Sequence, residues 1–379
     1  MSVTESKVDR KAVLKDVRRI VLKLGTRVVT VQDNALDRTL IDRVAKEVTG
    51  LMKDGYQVAI VSSGAVGAGM GRLGLKERPM RIPDLQATAA VGQGLLMNAY
   101  KLAFRDYDVP IGQVLLTDDL LSDRWRYVNA KNTLEALFKY SVVPVVNEND
   151  SVAVEANKVG DNDRLSALVT DLVEAHMLIT YTTVDGLFTG DPTRTPDAEH
   201  IPVVDVVTPE MMAAAGAAGS AVSLGGMRAK LQAATSVTRG GGAVVIADGR
   251  KATLVGILSG DEIGTLFLPG DALIQGKKRW LANTREKGVV VVDAGAARAL
   301  VDGGKSLLAT GIVRVQGDFD DGELISIVDP EGGEIARGLV RYAAGEVRRI
   351  QGKRSDEIKI LLDRDGADAV IHRDDMVIL

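Results

Sequence analysis

Residues 1–270 alternate short apolar segments with longer segments of helical periodicity. This alternation is typical of parallel β-strands joined by crossover helices, because helices cover both faces of such a sheet and its strands need few polar residues. The predicted strands are Arg19–Leu24, Val58–Val61, Ile111–Leu116, Val142–Val146, Met177–Tyr181 and Ala243–Ala247. The predicted helices are Asp37–Lys53, Asp84–Phe104, Asn129–Lys139, Asp163–Val173 and Met227–Arg239. The sequence therefore predicts an α/β fold, a three-layer αβα sandwich around a mainly parallel central sheet.

The pattern changes after the basic run at residues 277–279, where helical periodicity almost disappears. Short β-prone segments punctuated by glycine follow, at Gly288–Val292, Gly311–Val315, Leu324–Val328, Ile335–Val340 and Ala369–His372. This pattern predicts a small C-terminal β-barrel. We therefore divide the chain into an α/β domain at residues 1–270, a linker at residues 271–286 and a barrel domain at residues 287–379.

The composition is that of a globular protein, with 46% hydrophobic and 26% charged residues and a net charge of -4 that argues against a whole-chain affinity for nucleic acid. The absence of cysteine excludes disulfides and thiolate chemistry, and the three histidines are too widely spaced for an imidazole metal site. We therefore predict no metal-ligating residues. The charged segment at residues 1–19 has no apolar signal core, and no later window is apolar enough to cross a membrane, which predicts a cytoplasmic protein without membrane contact.

Polar residues follow four of the predicted strands at the point where each strand ends. In open α/β sheets, ligands bind outside the carboxyl ends of the strands. Those positions hold Lys23 and Gly25, then Ser62-Ser63-Gly64, Asn147-Glu148-Asn149-Asp150 and Thr182-Thr183. We therefore expect the functional site along this edge of the sheet.

Two lysines close to glycines in the sequence indicate which type of reaction the site could catalyse. Lys23 ends an apolar strand two residues before Gly25, and Lys230 follows Gly226 at the start of a predicted helix. A buried ammonium needs an anionic partner, and amides at a helix start bind phosphate. Two ammonium groups at one site suit phosphoryl transfer, although the Walker A spacing is absent. The alternatives are a lysine that extends from the sheet edge into water, and a flexible loop before an amphipathic helix.

Two further segments could bind substrate. The small residues of Ser62–Gly69 could expose backbone amides to a phosphate or carboxylate, but a tight turn that needs glycine for packing explains them equally well. The carboxylates and amides of residues 147–150 and 160–163 could bind the ammonium group of an amino acid, and Asp163 could orient both lysines. Asp161 as a helix N-cap explains part of this cluster.

Taken in order, these segments resemble the amino acid kinase family. The resemblance is carried by Val21–Thr26, Val61–Ala65, Val145–Asp150, Val159–Asp163, Leu165–Ala167, Asp185–Phe188, Asp191–Pro192 and Gly225–Met227. The C-terminal part, ending in Val370–Met376, is similar to the PUA domain, an RNA-associated β module. The resemblance implies ATP-dependent phosphorylation of the γ-carboxylate of L-glutamate, the first step of proline biosynthesis, with Mg²⁺ bound mainly through the nucleotide phosphates.

The resemblance also implies roles for individual residues. Lys23, Asp163 and Lys230 would be catalytic. L-glutamate would be bound by Ser63, Gly64, Asp150 and Asn162, and ATP by Lys23, Thr182, Thr183, Leu224, Gly225, Gly226, Met227 and Lys230. The sequence departs from the family pattern at Thr183, where Asp is usual, and at Leu224 and Ala229, where Thr is usual. All three departures lie on the nucleotide side.

For partners, the resemblance implies proline as a feedback inhibitor, a homo-oligomer (a tetramer or a dimer) and hand-over of a labile acyl phosphate to a reductase that forms glutamate-5-semialdehyde. One alternative is a related kinase for another acid or a nucleoside monophosphate, although no arginine patch for a second phosphate is evident at residues 147–163. The other is a regulatory or RNA-binding protein with an inactive kinase domain, whose basic residues would be Arg337, Arg341, Arg348, Arg349, Lys353 and Arg354. Acidic residues interleave with them and favour a solvated face.

Overall fold

A computed structural model describes residues 8–117, 124–152, 162–190, 192, 195, 197–217, 226–270, 286–354, 357–358, 361 and 369–379. The chain divides into two compact units. One comprises residues 1–120 and 125–273, and the other consists mainly of residues 274–379. The predicted linker lies almost entirely outside the described residues, so the domain boundaries stay a prediction.

The N-terminal unit is built on one large sheet. Its strands are β1 (Arg19–Leu24), β2 (Gln57–Ser62), β3 (Ile111–Leu116), β4 (Val143–Glu148), β5 (Met177–Thr182), β6 (Leu187–Phe188), β7 (His200–Ile201), β8 (Val203–Val204), β9 (Ala243–Asp248) and β10 (Thr265–Phe267). Its helices are α1 (Arg10–Leu14), α2 (Thr26–Val29), α3 (Arg38–Lys53), α4 (Ala65–Leu73), α5 (Ile82–Arg105), α6 (Arg124–Lys139), α7 (Asn162–Leu172), α8 (Pro209–Ala217), α9 (Met227–Arg239) and α10 (Leu254–Ser259). The sheet order is β3-β4-β2-β1-β5-β9-β10-β8, and β6 pairs with β7 separately.

The predicted mainly parallel sheet is confirmed. All pairings from β3 to β9 are parallel, and only β10 runs antiparallel to its neighbour β9. The six predicted strands and five predicted helices are all present, with ends that differ by at most five residues. The short strand β10 and the edge strand β8 beside it were not predicted, because two or three residues are too few to show a period.

The two faces of β1 pack against different helices. Ile20, Leu22 and Leu24 are fully buried in a core with side chains of α3 and α5. Successive side chains of a strand alternate between faces, so Lys23 points to the opposite face, where α7 packs against β1. The pairing of Lys23 with Val61 and Thr180 places it between two neighbouring strands. The charged side chain of Lys23 therefore lies on the face of the sheet that helix α7 covers, near the middle of the strand order.

Glycine allows α4 and α5 to cross in backbone contact. A Cβ atom added at Gly69 would lie 1.9 Å from the carbonyl oxygen of Thr88, and one added at Gly92 would lie 1.7 Å from that of Ala65. No side chain fits at either position. The packing explanation for the glycines of Ser62–Gly69 therefore holds at Gly69.

Helix α1 is fastened to the far edge of the sheet by one buried side chain. The guanidinium of Arg10 donates to the carbonyl oxygens of Pro202, Asp261, Ile263 and Gly264, at distances from 2.6 to 3.0 Å. Arg10 is 6% exposed. These carbonyls belong to the segments that lead into β8 and β10, so a single residue near the start of the chain joins both.

In the described residues of the C-terminal unit, a five-stranded sheet and two helices have complete bounds. Its strands are β11 (Gly288–Val292), β12 (Ile312–Gly317), β13 (Leu324–Val328), β14 (Glu334–Leu339) and β15 (Met376–Ile378), in the order β12-β11-β13-β14-β15. Helices α11 (Ala294–Val301) and α12 (Ala344–Ile350) were not predicted. The prediction of a strand at Ala369–His372 was wrong, because Ile371 makes only an isolated bridge to Leu307 and the last strand begins at Met376. No helix in the described parts of the chain is long and apolar enough to cross a membrane.

Candidate active site

Two buried lysines share one buried carboxylate at the carboxyl ends of the central strands. Lys23 Nζ donates to Asp163 Oδ1 at 2.6 Å, and Lys230 Nζ donates to Asp163 Oδ2 at 3.0 Å. Lys23 comes from β1, Asp163 from the first turn of α7 and Lys230 from the first turn of α9. The three residues are at most 8% exposed. The structure thus brings together the three predicted catalytic residues, 140 and 67 positions apart in sequence.

The charges of Lys23, Asp163 and Lys230 do not sum to zero. Burial by itself raises the pKa of Asp163, but the charges of Lys23 and Lys230 and their hydrogen bonds outweigh it and hold the pKa below its usual value. Asp163 is therefore ionised, and two ammonium groups share one negative charge. The positive end of the α9 dipole adds to this surplus beside Lys230. Such a site attracts an anion and stabilises one that gains charge.

Ser63 and Asn162 form the side of the site next to this group. Asn162 Nδ2 donates to Ser63 Oγ at 2.8 Å and to Asn147 Oδ1 at 3.0 Å. Gly64 turns the chain from β2 into α4 with φ at 107°, in the left-handed region that favours glycine. Asn162 Oδ1 is buried and has no hydrogen-bond partner. A buried acceptor without a partner costs about 1–3 kcal/mol, so this oxygen is suited to a donor on a ligand.

Asp150 offers a second acceptor of the same kind. It is 8% exposed, and its Oδ1 is buried without a hydrogen-bond partner. Burial raises the pKa of Asp150 to about 6, and the positive charge of Arg78 opposes that shift. Because a cationic ligand would favour the ionised carboxylate, the site suits an ammonium group.

The predicted nucleotide residues are only partly described. Thr182 ends β5 and is half-buried, Thr183 is exposed, and Gly226 and Met227 begin α9. Leu224 and Gly225 lie outside the described residues, as does the predicted N-cap Asp161. The roles of all these residues stay predictions.

Asn147 was predicted only as a member of the polar cluster at residues 147–150, and Gln93 was not predicted as a site residue. Asn147 accepts from Asn162, and its Nδ2 donates to Gln93 Oε1 at 2.8 Å. The sequence feature that indicated a role for Asn147 was its position near the end of a predicted strand. Gln93 lies inside α5, 54 positions away, and no local pattern marks it.

Five of the six basic residues predicted for nucleic-acid binding are engaged within the C-terminal unit. Arg337 pairs with Glu334 at 2.7 Å, Arg341 with Asp375 at 3.0 Å and Lys353 with Glu357 at 3.7 Å. Arg348 donates to the carbonyl oxygen of Gly317, and Arg349 to that of Leu361. The carboxylates reduce the positive charge that a nucleic acid would meet. RNA binding stays an untested prediction.

The chain is similar in sequence to one family of known proteins over most of its length. A model described as "Amino acid kinase family" matches residues 18–248, and one described as "PUA domain" matches residues 288–362. A protein of Moorella thermoacetica named glutamate 5-kinase is 50% identical over 368 residues, which is 97% of each chain. A protein of the same name from Citrifermentans bemidjiense is 46% identical over 372 residues, 98% of this chain and 100% of the relative. A solved carbamate kinase from Giardia lamblia bound to AMP-PNP is 19% identical, with a TM-score of 0.49, over 68% of this chain and 100% of its own.

Proposed function

Because the chain belongs to the amino acid kinase family, we propose that it transfers the γ-phosphoryl group of ATP to the γ-carboxylate of L-glutamate, forming L-glutamyl 5-phosphate in the first step of proline biosynthesis. The observation that carries this proposal is the pair of buried ammonium groups held by Asp163. In phosphoryl transfer the protein mainly positions the reactants and stabilises charge on the phosphoryl oxygens. A net positive, water-poor group of this kind supplies that stabilisation.

The reaction requires no protein base. A γ-carboxylate oxygen forms a bond to the γ-phosphorus, while the bond from that phosphorus to the β–γ bridging oxygen breaks and ADP leaves. The carboxylate is already deprotonated at neutral pH, so no proton has to be removed. Lys23 and Lys230 stabilise the phosphoryl group during transfer, and Asp163 fixes both ammonium groups at hydrogen-bonding distance.

The unpartnered acceptors of the site support an amino acid as the acceptor substrate. Asn162 Oδ1 and Asp150 Oδ1 accept hydrogen bonds from the α-ammonium group of glutamate. Ser63 and Gly64, between β2 and α4, complete the glutamate site. Binding satisfies two buried oxygens that otherwise lack hydrogen bonds.

The nucleotide binds along the ends of β5 and α9. Thr182, Thr183 and the segment from Leu224 to Lys230 contact ATP. Mg²⁺ would be held mainly by the nucleotide phosphates, as the resemblance to the family implies. Bound there, Mg²⁺ would supply positive charge that partly neutralises the phosphates.

We extend the proposal to partners and organisation. Proline inhibits as the pathway end product, the protein assembles as a tetramer or dimer in the cytoplasm, and the acyl phosphate passes to the reductase that forms glutamate-5-semialdehyde. The kinase domain comprises residues 1–270 and the PUA-like domain residues 287–379. These statements rest on family membership.

The test is ADP release by the purified full chain with ATP, Mg²⁺ and a panel of acids, with hydroxylamine present to trap an acyl phosphate as hydroxamate. We expect turnover and hydroxamate with glutamate. Turnover with a different acid alone would refute the substrate, and no turnover with any acid would refute the kinase activity.

A pair of variants tests the lysine role. Lys230→Ala should lower kcat by about 100-fold to 1000-fold, the usual effect of removing one group that stabilises transition-state charge. Lys139→Ala removes an exposed lysine at the end of α6 and serves as the matched control. Equal activity of the two variants would contradict the proposed role of Lys230.

A further inference from the structure

Three side-chain amides form one hydrogen-bonded row on the glutamate side of the site. Asn162 Nδ2 donates to Asn147 Oδ1 at 3.0 Å, and Asn147 Nδ2 donates to Gln93 Oε1 at 2.8 Å. A side-chain amide carries its acceptor and its donors on different atoms, so the direction of one hydrogen bond in the row fixes the direction of the other. The row therefore has one acceptor end, Asn162 Oδ1, and one donor end, Gln93 Nε2.

Both ends of the row are buried without a partner. In the described parts of the chain, seven buried side-chain atoms lack a hydrogen bond, and three of them are Gln93 Nε2, Asn162 Oδ1 and Asp150 Oδ1. Asp150 follows Asn147 by three positions. Buried polar groups are nearly always hydrogen-bonded, so two such atoms at the ends of one row and a third on Asp150 indicate a ligand that supplies the missing bonds.

We propose that Gln93 determines substrate specificity by donating from Nε2 to the α-carboxylate of the amino acid. This inference rests on the proposed function and assigns Gln93 Nε2, a buried donor that the described residues of the site leave unused. The two acceptors, Asn162 Oδ1 and Asp150 Oδ1, match the N–H groups of an α-ammonium, and the donor matches the carboxylate on the same carbon.

The row couples recognition of the α-ammonium group at Asn162 to recognition of the α-carboxylate at Gln93. An ammonium at Asn162 Oδ1 selects the direction in which Asn147 Oδ1 accepts and Gln93 presents its NH₂ group. An acid that lacks either group leaves one end of the row buried and unpaired. Sites built to hydrogen-bond a substrate group discriminate strongly against analogues without it. The site therefore selects an α-amino acid over a simple dicarboxylate.

The variant Gln93→Glu isolates the donor. It keeps an oxygen that accepts from Asn147 Nδ2, and it replaces the NH₂ group with an anionic oxygen that repels a carboxylate. Asn98→Asp makes the same amide-to-carboxylate exchange at an exposed position of α5 and is the matched control. Gln93→Met removes the donor without adding charge, in case the charged variant fails to fold.

The measurement is the KM of glutamate and of ATP for the full-length wild type and the three variants. We expect the glutamate KM to rise at least about tenfold in both Gln93 variants, the loss expected for a hydrogen bond to a charged group. The ATP KM should stay within about twofold, and Asn98→Asp should resemble the wild type. A glutamate KM within twofold of the wild type in both Gln93 variants, or an equal rise in both KM values, would overturn the inference.

The same experiment separates this inference from the proposed function. Wild-type turnover with glutamate tests the function. If the wild type turns over another acid, the proposed substrate is wrong, and the KM of that acid in the four proteins decides the role of Gln93. If no acid is turned over, the rise in unfolding temperature with saturating glutamate is compared instead. A wild type without any rise overturns both.

Discussion

Replacing Gly92 by alanine tests the contact between α4 and α5. The added Cβ would lie 1.7 Å from the carbonyl oxygen of Ala65, and ordinary contact begins at 3.4 Å, so the helices must separate by about 1.7 Å. The obstructing atoms are backbone, which cannot turn aside as a flexible side chain can. Overpacking a well-packed interior costs about 1–3 kcal/mol, and we expect the upper value here.

Gly94 supplies the control from the same helix. A Cβ atom added at Gly94 meets nothing within 4 Å, so Gly94→Ala should gain the helix propensity of alanine, about 0.5–1 kcal/mol. In thermal unfolding followed by circular dichroism, about 2–4 °C per kcal/mol predicts a fall of about 6–12 °C for Gly92→Ala and a small rise for Gly94→Ala. Equal unfolding temperatures for the two variants would refute the close crossing.

The same substitution should affect catalysis. Ala65 directly follows Ser63-Gly64, so any separation of the helices displaces the start of α4 beside the glutamate site. A misplacement of about 1 Å can cost about 100-fold in rate. We therefore expect kcat/KM for glutamate to fall in Gly92→Ala and to remain at the wild-type level in Gly94→Ala.

Asp163→Asn removes the carboxylate that pairs with both ammonium groups, and removing one partner of a buried ion pair costs about 3–5 kcal/mol. Adding Lys230→Met should restore part of the stability in urea denaturation but none of the turnover. Arg10→Met should lose about 4 kcal/mol, at about 1 kcal/mol for each of its hydrogen bonds, without changing either KM. Burial raises the pKa of Asp150 to about 6, so kcat/KM for glutamate should fall below about pH 6 as the carboxylate is protonated. The pKa of Asp150 in the folded state lies above the unfolded value of about 3.9, so the folded state binds the proton more tightly. The free energy of unfolding should therefore decrease as pH rises from about 4 to 6. The unfolding midpoint of Asp150→Asn, measured over the same pH range, should not show this decrease.

Much of the fold and part of the site could be predicted because they leave local signals. Buried parallel strands appear in the sequence as apolar runs, and Lys23 stands out as a charged residue between Leu22 and Leu24 in such a run. The contacts among Lys23, Asp163 and Lys230 follow from topology, since parallel strands bring their carboxyl ends to one edge.

Other features leave no local signal. Gln93 lies in the middle of a helix, and its buried donor becomes visible only when the tertiary structure places Asn147 beside it. In the C-terminal unit, helices α11 and α12 have 8 and 7 residues, about two turns each, too short for a helical period to be distinct. The apolar residues near Ile371 have the pattern of a strand, but Ile371 makes only an isolated β-bridge and no continuous ladder of hydrogen bonds.

The position of Arg10 has a consequence for the order of folding. The carbonyls that it binds lie 192 to 254 positions farther along the chain. Arg10 of α1 therefore cannot make these hydrogen bonds until the segment before β10 has been synthesised, so α1 is among the last elements of its unit to pack completely. Contacts over such separations are formed slowly, because a long loop must be closed before they contribute. Until then the β8 edge of the sheet lacks the hydrogen bonds of Arg10. During this interval a chaperone would be most useful, because an incompletely fixed sheet edge can pair with other chains.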